Sequence, residues 1–185
     1  MKKRPVYHLR RLGAGDAEAF SNLRREVTAD NPVPMGLTLK EELTRPLQSF
    51  CDQLSYPEPN AAFGAFVATE LVGSAAVAWP SKFLSSRHKV NLWGVFVSPR
   101  YRRLGIGRAL VEMAVNHAHA NGALRVNLTV FVPNPAAVKL YEALGFEHCG
   151  VEPESIRIGN SYYDGCLMSR RRDLKAGKKS GATLP

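Results

Sequence analysis

The chain has 185 residues, 45% of them hydrophobic, and carries 25 Lys plus Arg against 16 Asp plus Glu, a net charge of +9. That length suits one domain with a substantial core, and the apolar fraction excludes a chain that is disordered throughout. The basic balance favours an anionic partner, whether nucleic acid, an acidic membrane or a nucleotide-like cofactor, unless it only solvates the surface.

The start, Met1-Lys2-Lys3-Arg4, leads into mixed polar sequence without an apolar core, so no secretory leader is expected. No apolar run reaches membrane-spanning length. Val6 to Leu9 predicts a short first strand. Asp16 can cap a helix that carries Phe20, Leu23 and Val27 at helical spacing and ends at Asn31-Pro32-Val33-Pro34. Leu39 to Leu54 predicts a second helical stretch, interrupted by Pro46. Ala62 to Ala68 and Leu71 to Trp79 are apolar, β-prone runs on either side of Thr69-Glu70, the pattern of a hairpin. After a polar, basic loop from Pro80 to Lys89, Val90 to Val97 predicts a strand buried on both faces.

Gly107 to Asn121 carries the clearest helical stripe, Leu110, Val111, Ala114, Val115 and Ala118, and Gly122 stops it. Val126 to Val132 predicts the next strand. Asn134 then caps a short helix with Pro135 at its first position, and Gly145 closes it. Phe146 to Val151 and Tyr162 to Met168 predict two last strands. Arg170 to Pro185 is rich in Lys, Arg and Gly, and a disordered tail after a domain spanning residues 1–169 is expected. Strands that pair as hairpins and alternate with helices predict an α/β fold, a mixed sheet with helices on both faces. The three cysteines, Cys51, Cys149 and Cys166, form no C-x-x-C pair, which gives no basis for a metal or redox motif and fits reduced thiols in a cytoplasmic protein.

The strongest chemistry lies in the turn from Val97 to Arg108, between the buried strand and the clearest helix. Gly105 and Gly107 let the backbone approach a ligand, and free amides at a helix start attract an anion. Arg100, Arg102, Arg103 and Arg108 add positive charge, and no Asp or Glu occurs from Leu71 to Val111 to neutralise it locally. A Walker A loop is ruled out by the lack of G-x-x-x-x-G-K-[ST]. A dinucleotide fingerprint is ruled out by Leu110 at its third small position and by the lack of an acid in the strand from Arg125 to Val132. The pattern that fits is [QR]-x-x-G-x-[GA], on Arg102, Gly105 and Gly107. The bland alternative is a glycine turn with surface arginines.

This turn resembles the coenzyme A pyrophosphate loop of the GNAT superfamily of N-acyltransferases. The segment from Asn134 to Phe146 is similar to the family's N-x-x-A-x-x-[LF]-Y-x-x-x-G-F run, and Tyr162 to Met168 to its last strand. The resemblance implies one domain with a mixed, mostly antiparallel sheet of about seven strands flanked by about four helices. It implies acetyl-CoA as co-substrate, with no metal, and transfer of the acetyl group to an amine by direct attack in a ternary complex. Coenzyme A would lie between the Val90–Val97 and Val126–Val132 strands. Amides of Val95, Phe96 and Val97, set free by a bulge at Gly94, would hold the pantetheine arm and the thioester oxygen. Gly94 has a plainer alternative as a packing choice against Trp93. Arg103, Gly105, Gly107 and Arg108, with Leu104 and Ile106 between them and Arg102 at the first motif position, would hold the pyrophosphate. Asn134 would touch the cofactor and also cap its helix. Tyr141, two turns after Asn134, would protonate the leaving thiolate, for which a phenol of pKa about 10 is a suitable donor; its alternative is a core tyrosine.

No general base matches. Where ribosomal-protein N-terminal acetyltransferases of this family carry Glu, this chain has Thr129, which argues mildly against that acceptor. Glu41, Glu42, His88 and Asp164 are the other candidates, or water relays the proton. The acceptor is expected to be a small-molecule or peptide amine. Two other functions stay open: a nucleic-acid-associated protein gripping phosphates through Arg170, Arg171, Arg172, Lys175, Lys178 and Lys179, and a non-catalytic acetyl-CoA-binding regulator. The first lacks a stacking-aromatic pattern, and a nucleic-acid partner is not expected. A homodimer is compatible with the sequence.

Overall fold

The structure, a computed structural model, describes residues 5–172. Seven strands form one sheet in the order β1-β2-β3-β4-β5-β7-β6, with β1 at His8–Arg11, β2 at Ala61–Val67, β3 at Glu70–Ala78, β4 at Lys89–Val97, β5 at Arg125–Phe131, β6 at Glu147–Ile158 and β7 at Ser161–Arg171. All pairings are antiparallel except β4 with β5. Five helices accompany it among the described residues: α1 (Ala17–Asp30), α2 (Leu39–Thr44), α3 (Leu47–Leu54), α4 (Ile106–Ala120) and α5 (Pro135–Glu142). None is long and apolar enough to cross a membrane.

Alternating side chains divide the core between the two faces of the sheet. On one face α4 buries Ile106, Leu110, Val111, Ala114, Val115 and Ala118 against Val72, Val77, Val90 and Val126. On the other, Phe20, Leu23 and Val27 of α1 and Phe50 and Leu54 of α3 pack on Ala62, Phe66, Ala76 and Phe96. Both α1 and α4 therefore follow the apolar spacing of their sequences.

Local details depart from expectation. Asp16 stands at the N-cap of α1 but makes no cap bond. Its carboxylate instead accepts from Arg10 at 2.6 and 2.8 Å and from the Gly13 amide at 3.0 Å. The interrupted second stretch is two helices, because Pro46 becomes the N-cap of α3 while Thr38 and Glu41 form a capping box for α2. Strand β6 runs to Ile158 rather than Val151, and β7 to Arg171 rather than Met168. Arg170 and Arg171, assigned to the tail from sequence, therefore belong to the sheet; residues 173–185 lie outside the described residues. The extension of β6 starts with exposed Glu152, Pro153 and Glu154 across a register shift between Glu152 and Ile156, and only Ile156 and Ile158 beyond it alternate as half-buried residues, too short a run to predict a strand. It is an edge strand, where proline is tolerated.

Candidate active site

The parallel pair β4/β5 holds only from Lys89–Arg125 to Asn91–Asn127, and beyond that point the two strands part. Opposite the gap, β4 bulges. Ser74 pairs with Phe96 and Ala76 with Trp93, so Gly94 and Val95 face the single residue Ala75. Gly94 takes φ +62°, and an added Cβ would meet nothing nearer than 3.8 Å. Glycine is needed there for its left-handed backbone. The Ser74 hydroxyl donates to the Gly94 carbonyl at 2.9 Å and fixes the bulge from the neighbouring strand.

A cleft of about 690 Å³ opens beside this bulge. Val95, Phe96 and Val97 line it on the β4 side, the turn supplies Arg102, Arg103, Gly105, Ile106, Gly107 and Arg108, and α5 supplies Asn134 and Tyr141. All the sequence-predicted site residues thus share one cleft except Leu104, whose side chain packs against the core. Gly105 is the N-cap of α4 with φ +85° and no neighbour within 4 Å of an added Cβ. The first amides of α4 have no partner inside the helix and carry the positive end of its dipole. The cleft therefore fits a pyrophosphate: open glycine backbone, a helix N-terminus and basic side chains converge on it.

The charge of the turn is less free than the sequence implies. Arg100 pairs with Glu70 at 2.5 Å and Glu26 at 3.6 Å, Arg102 with Asp30 at 2.8 Å, and Arg108 with Glu112 at 3.2 Å. These carboxylates come from α1, β3 and α4, outside the acid-free stretch. Among the described residues Arg103, held at φ +62°, makes no ion pair and is the turn's uncommitted cation.

Asn134 caps α5 by accepting from the Ala137 amide at 3.2 Å and lines the cleft as well. Tyr141 is buried, stacks edge-on against Phe146 with centroids 5.5 Å apart, and burial pushes its phenol well above the usual range. The phenol therefore stays protonated at any working pH.

A second cleft, of about 920 Å³, lies across the bulge and shares Pro34, Val95 and Phe96 with the first. Met35, Leu37, Trp93, Asn127, Thr129 and Phe131 are in its wall, together with Arg24, Arg45 and Arg125. Gly36 packs the intervening loop onto Phe131, where a Cβ would come within 2.9 Å of the ring. No carboxylate or imidazole among the described residues lines either cleft. Each of the four candidate bases is absent from both walls. Glu42 is wholly buried and bonded to Arg24, Glu41 closes the capping box with Thr38, Asp164 accepts from the Glu154 amide, and His88 offers its carbonyl to Leu124 and Arg125. Thr129 does face the second cleft but has no carboxylate to offer.

One further constellation escaped the sequence reading. His148 lies 3.0 Å from the Cys166 sulfur through Nδ1 and 3.0 Å from Glu142 through Nε2. Burial pushes the Cys166 thiol up, and the group lines neither cleft, so it is not part of this site. The three arginines of the second cleft also escaped, because α1, the α2–α3 link and β5 bring them together from distant parts of the chain.

The sequence profile of the Acetyltransferase (GNAT) family matches residues 21–146. A mycothiol acetyltransferase of Acidothermus cellulolyticus is 32% identical over 167 residues, covering 84% of this chain and 48% of that protein. The ribosomal protein bS18-alanine N-acetyltransferase of Escherichia coli K12 is 36% identical over 110 residues, 60% of this chain and 65% of that one. The chain thus spans about half to two thirds of the curated relatives it matches. Among solved structures, yncA of Salmonella typhimurium, described as an acetyltransferase with its cofactor acetyl-CoA, superposes with a TM-score of 0.74 at 17% identity, covering 95% of this chain and 99% of that one.

Proposed function

This chain belongs to the acetyltransferase (GNAT) family, and on that footing we propose that it transfers an acetyl group from acetyl-CoA to a primary amine of a small molecule or peptide, by direct attack in a ternary complex. The observation that carries this is the pair of clefts sharing Pro34, Val95 and Phe96 in their walls, one basic and glycine-rich, the other open to an acceptor.

Acetyl-CoA, when bound, supplies the activated acyl group. Gly105, Gly107, Arg103 and the first amides of α4 would hold its pyrophosphate, with Arg102 and Arg108 at the rim and Asn134 beyond them. Main-chain amides of Val95 to Val97, displaced by the bulge, would face the pantetheine arm and the thioester oxygen. Fixed donors aimed at developing negative charge are commonly the largest catalytic contribution. Tyr141, held neutral by burial, would offer its proton to the departing sulfur.

The amine must lose a proton, and no carboxylate or imidazole lines the walls among the described residues. Like charges disfavour a bound ammonium, so the arginines of the second cleft themselves favour the neutral, attacking form. Water carries the proton away. Relatives act, by their names, on mycothiol or on an alanine of a ribosomal protein; Thr129 in place of a carboxylate weighs against the second kind of acceptor here.

The test is acetyl-CoA-dependent thiol release with amino acids, polyamines, aminoglycosides, arylamines and short peptides. Turnover of any amine with N-acetyl product supports the reaction class. The lack of a base favours one other reading, a regulator that binds acetyl-CoA without using it. Tight binding with no release across the whole panel would establish that instead.

A further inference from the structure

We propose that the acceptor is an amine that also carries an anionic group, a carboxylate or a phosphate, and that Arg45 and Arg125 receive that group with Arg24 behind them. This rests on the acetyltransferase reading and specifies its second substrate.

The basis is an imbalance of charge in the second cleft. Arg24, Arg45 and Arg125 all stand in its wall, and no carboxylate among the described residues does. The acid paired with them, Glu42, is wholly buried and is used up by Arg24, which donates from Nε at 2.6 Å and from Nη2 at 2.8 Å. Arg45 reaches the same carboxylate only at 3.7 Å, so two guanidiniums share one counter-charge. Arg125 makes no ion pair among the described residues; its Nη1 donates to the Ser169 hydroxyl at 3.2 Å, which in turn donates to Asn127 at 2.8 Å.

Arg45 is also set in place before any ligand arrives. Its guanidinium lies 4.2 Å over the Phe50 ring and donates to Gln53, another residue of the wall, at 3.3 Å. Burial, and then the positive charge of Arg24, lower its affinity for its own proton. An anion at this point would relieve that deficit, and a planar guanidinium fork matches carboxylate and phosphate alike. A polyamine, by contrast, would bring cations to three guanidiniums. The volume of about 920 Å³ suits a small molecule or the end of a short peptide.

The experiment compares amines with and without an anionic group: glycyl-glutamate against glycyl-glutamine amide, phosphoethanolamine against ethanolamine, with spermidine as the cationic control. Thiol release and calorimetric titration onto the protein saturated with acetyl-CoA are both read. The anionic member of at least one pair should show kcat/KM, or affinity, about tenfold or more above its uncharged partner, the size of one charge-assisted hydrogen bond. Arg45→Gln should collapse that preference through KM while acetyl-CoA affinity holds. The peptide pair and the phosphate pair tell carboxylate from phosphate. Equal or better use of uncharged amines or spermidine, or no preference in either assay, overturns the anion site and leaves the acetyltransferase reading standing. Anionic members that bind through Arg45 but release no thiol sink the acetyltransferase reading and keep the anion site.

Discussion

Glu42, with no exposed surface, gives both carboxylate oxygens to Arg24, at 2.6 and 2.8 Å, and so holds a guanidinium in the wall of the second cleft. A carboxylate that sequence offers as a general base is thereby a strut between α1 and α2. Removing one partner of a buried pair leaves the other charge unpaired, at a cost of about 3–5 kcal/mol. Glu42→Ala should therefore lower stability by that order in denaturant titrations, while Glu42→Ala combined with Arg24→Met should cost less than Glu42→Ala alone. A folded Glu42→Ala protein of wild-type stability would show that the pair is idle.

The bond from the Ser74 hydroxyl to the Gly94 carbonyl ties the bulge to β3. Ser74 is wholly buried, so Ser74→Ala loses one hydrogen bond, worth about 1 kcal/mol of stability. Its effect on turnover should be larger, about tenfold in kcat, because misplacing fixed donors weakens them where charge develops. Gly94→Ala forces a Cβ into φ +62°, where it would meet Phe96 and Ser74 only at ordinary contact distances of 3.8 and 3.9 Å, so its main cost is backbone strain of about 1–2 kcal/mol. Steady-state kinetics beside thermal unfolding separate the two effects. A fall in stability with unchanged kcat would remove the bulge from the mechanism.

What could be read from sequence was what the chain encodes locally. Gly105 with Gly107 and the run from Asn134 to Gly145 fix backbone shapes within one turn or one helix, and Gly105, Gly107, Asn134 and Tyr141 line one cleft. Tertiary pairings could not be read. The acid-free stretch around the turn suggested four free arginines, yet Glu26, Glu70, Asp30 and Glu112 reach Arg100, Arg102 and Arg108 from other elements. The acceptor wall is similar in kind: Arg24, Arg45 and Arg125 share no spacing and acquire meaning only through packing. The length of β6 was hidden because its middle, exposed from Glu147 to Glu154, contains Pro153 and a register shift, leaving only Ile156 and Ile158 to alternate at its end.

Tyr141 makes a kinetic prediction with a defined pH signature. Tyr141→Phe should cut kcat by about 10²–10⁴, the usual range for a proton donor, with acetyl-CoA affinity kept. Burial raises the phenol's pKa in the folded protein above its unfolded value, so neutral Tyr141 contributes fully below about pH 10 and loses stability as pH rises past it. Wild type should thus weaken relative to Tyr141→Phe only above about pH 10, seen by unfolding at graded pH. Activity should rise with pH as the acceptor amine deprotonates, without an alkaline fall from Tyr141 in the working range. A fall near neutrality would assign the limb to another group.

The pyrophosphate site is tested by charge reversal where the fold can bear it. A Cβ at Gly107 would meet Leu140 at 3.6 Å and Val97 at 3.7 Å, ordinary contacts, and Glu in the first turn of a helix suits its dipole. Arg103 is exposed and makes no ion pair among the described residues, so its loss leaves no partner stranded. Arg103→Glu with Gly107→Glu should therefore keep thermal stability within a few degrees. The same change sets two carboxylates against the cofactor's phosphates and removes a charge-assisted contact, a loss of about 100-fold or more in acetyl-CoA affinity at about 1.5–3 kcal/mol per interaction. Calorimetric titration reads the binding and a melting curve reads the fold. Wild-type affinity in the double variant would place the phosphates elsewhere, while a melted protein would call for Arg103→Gln alone, where about a tenfold loss is expected from the one missing cation.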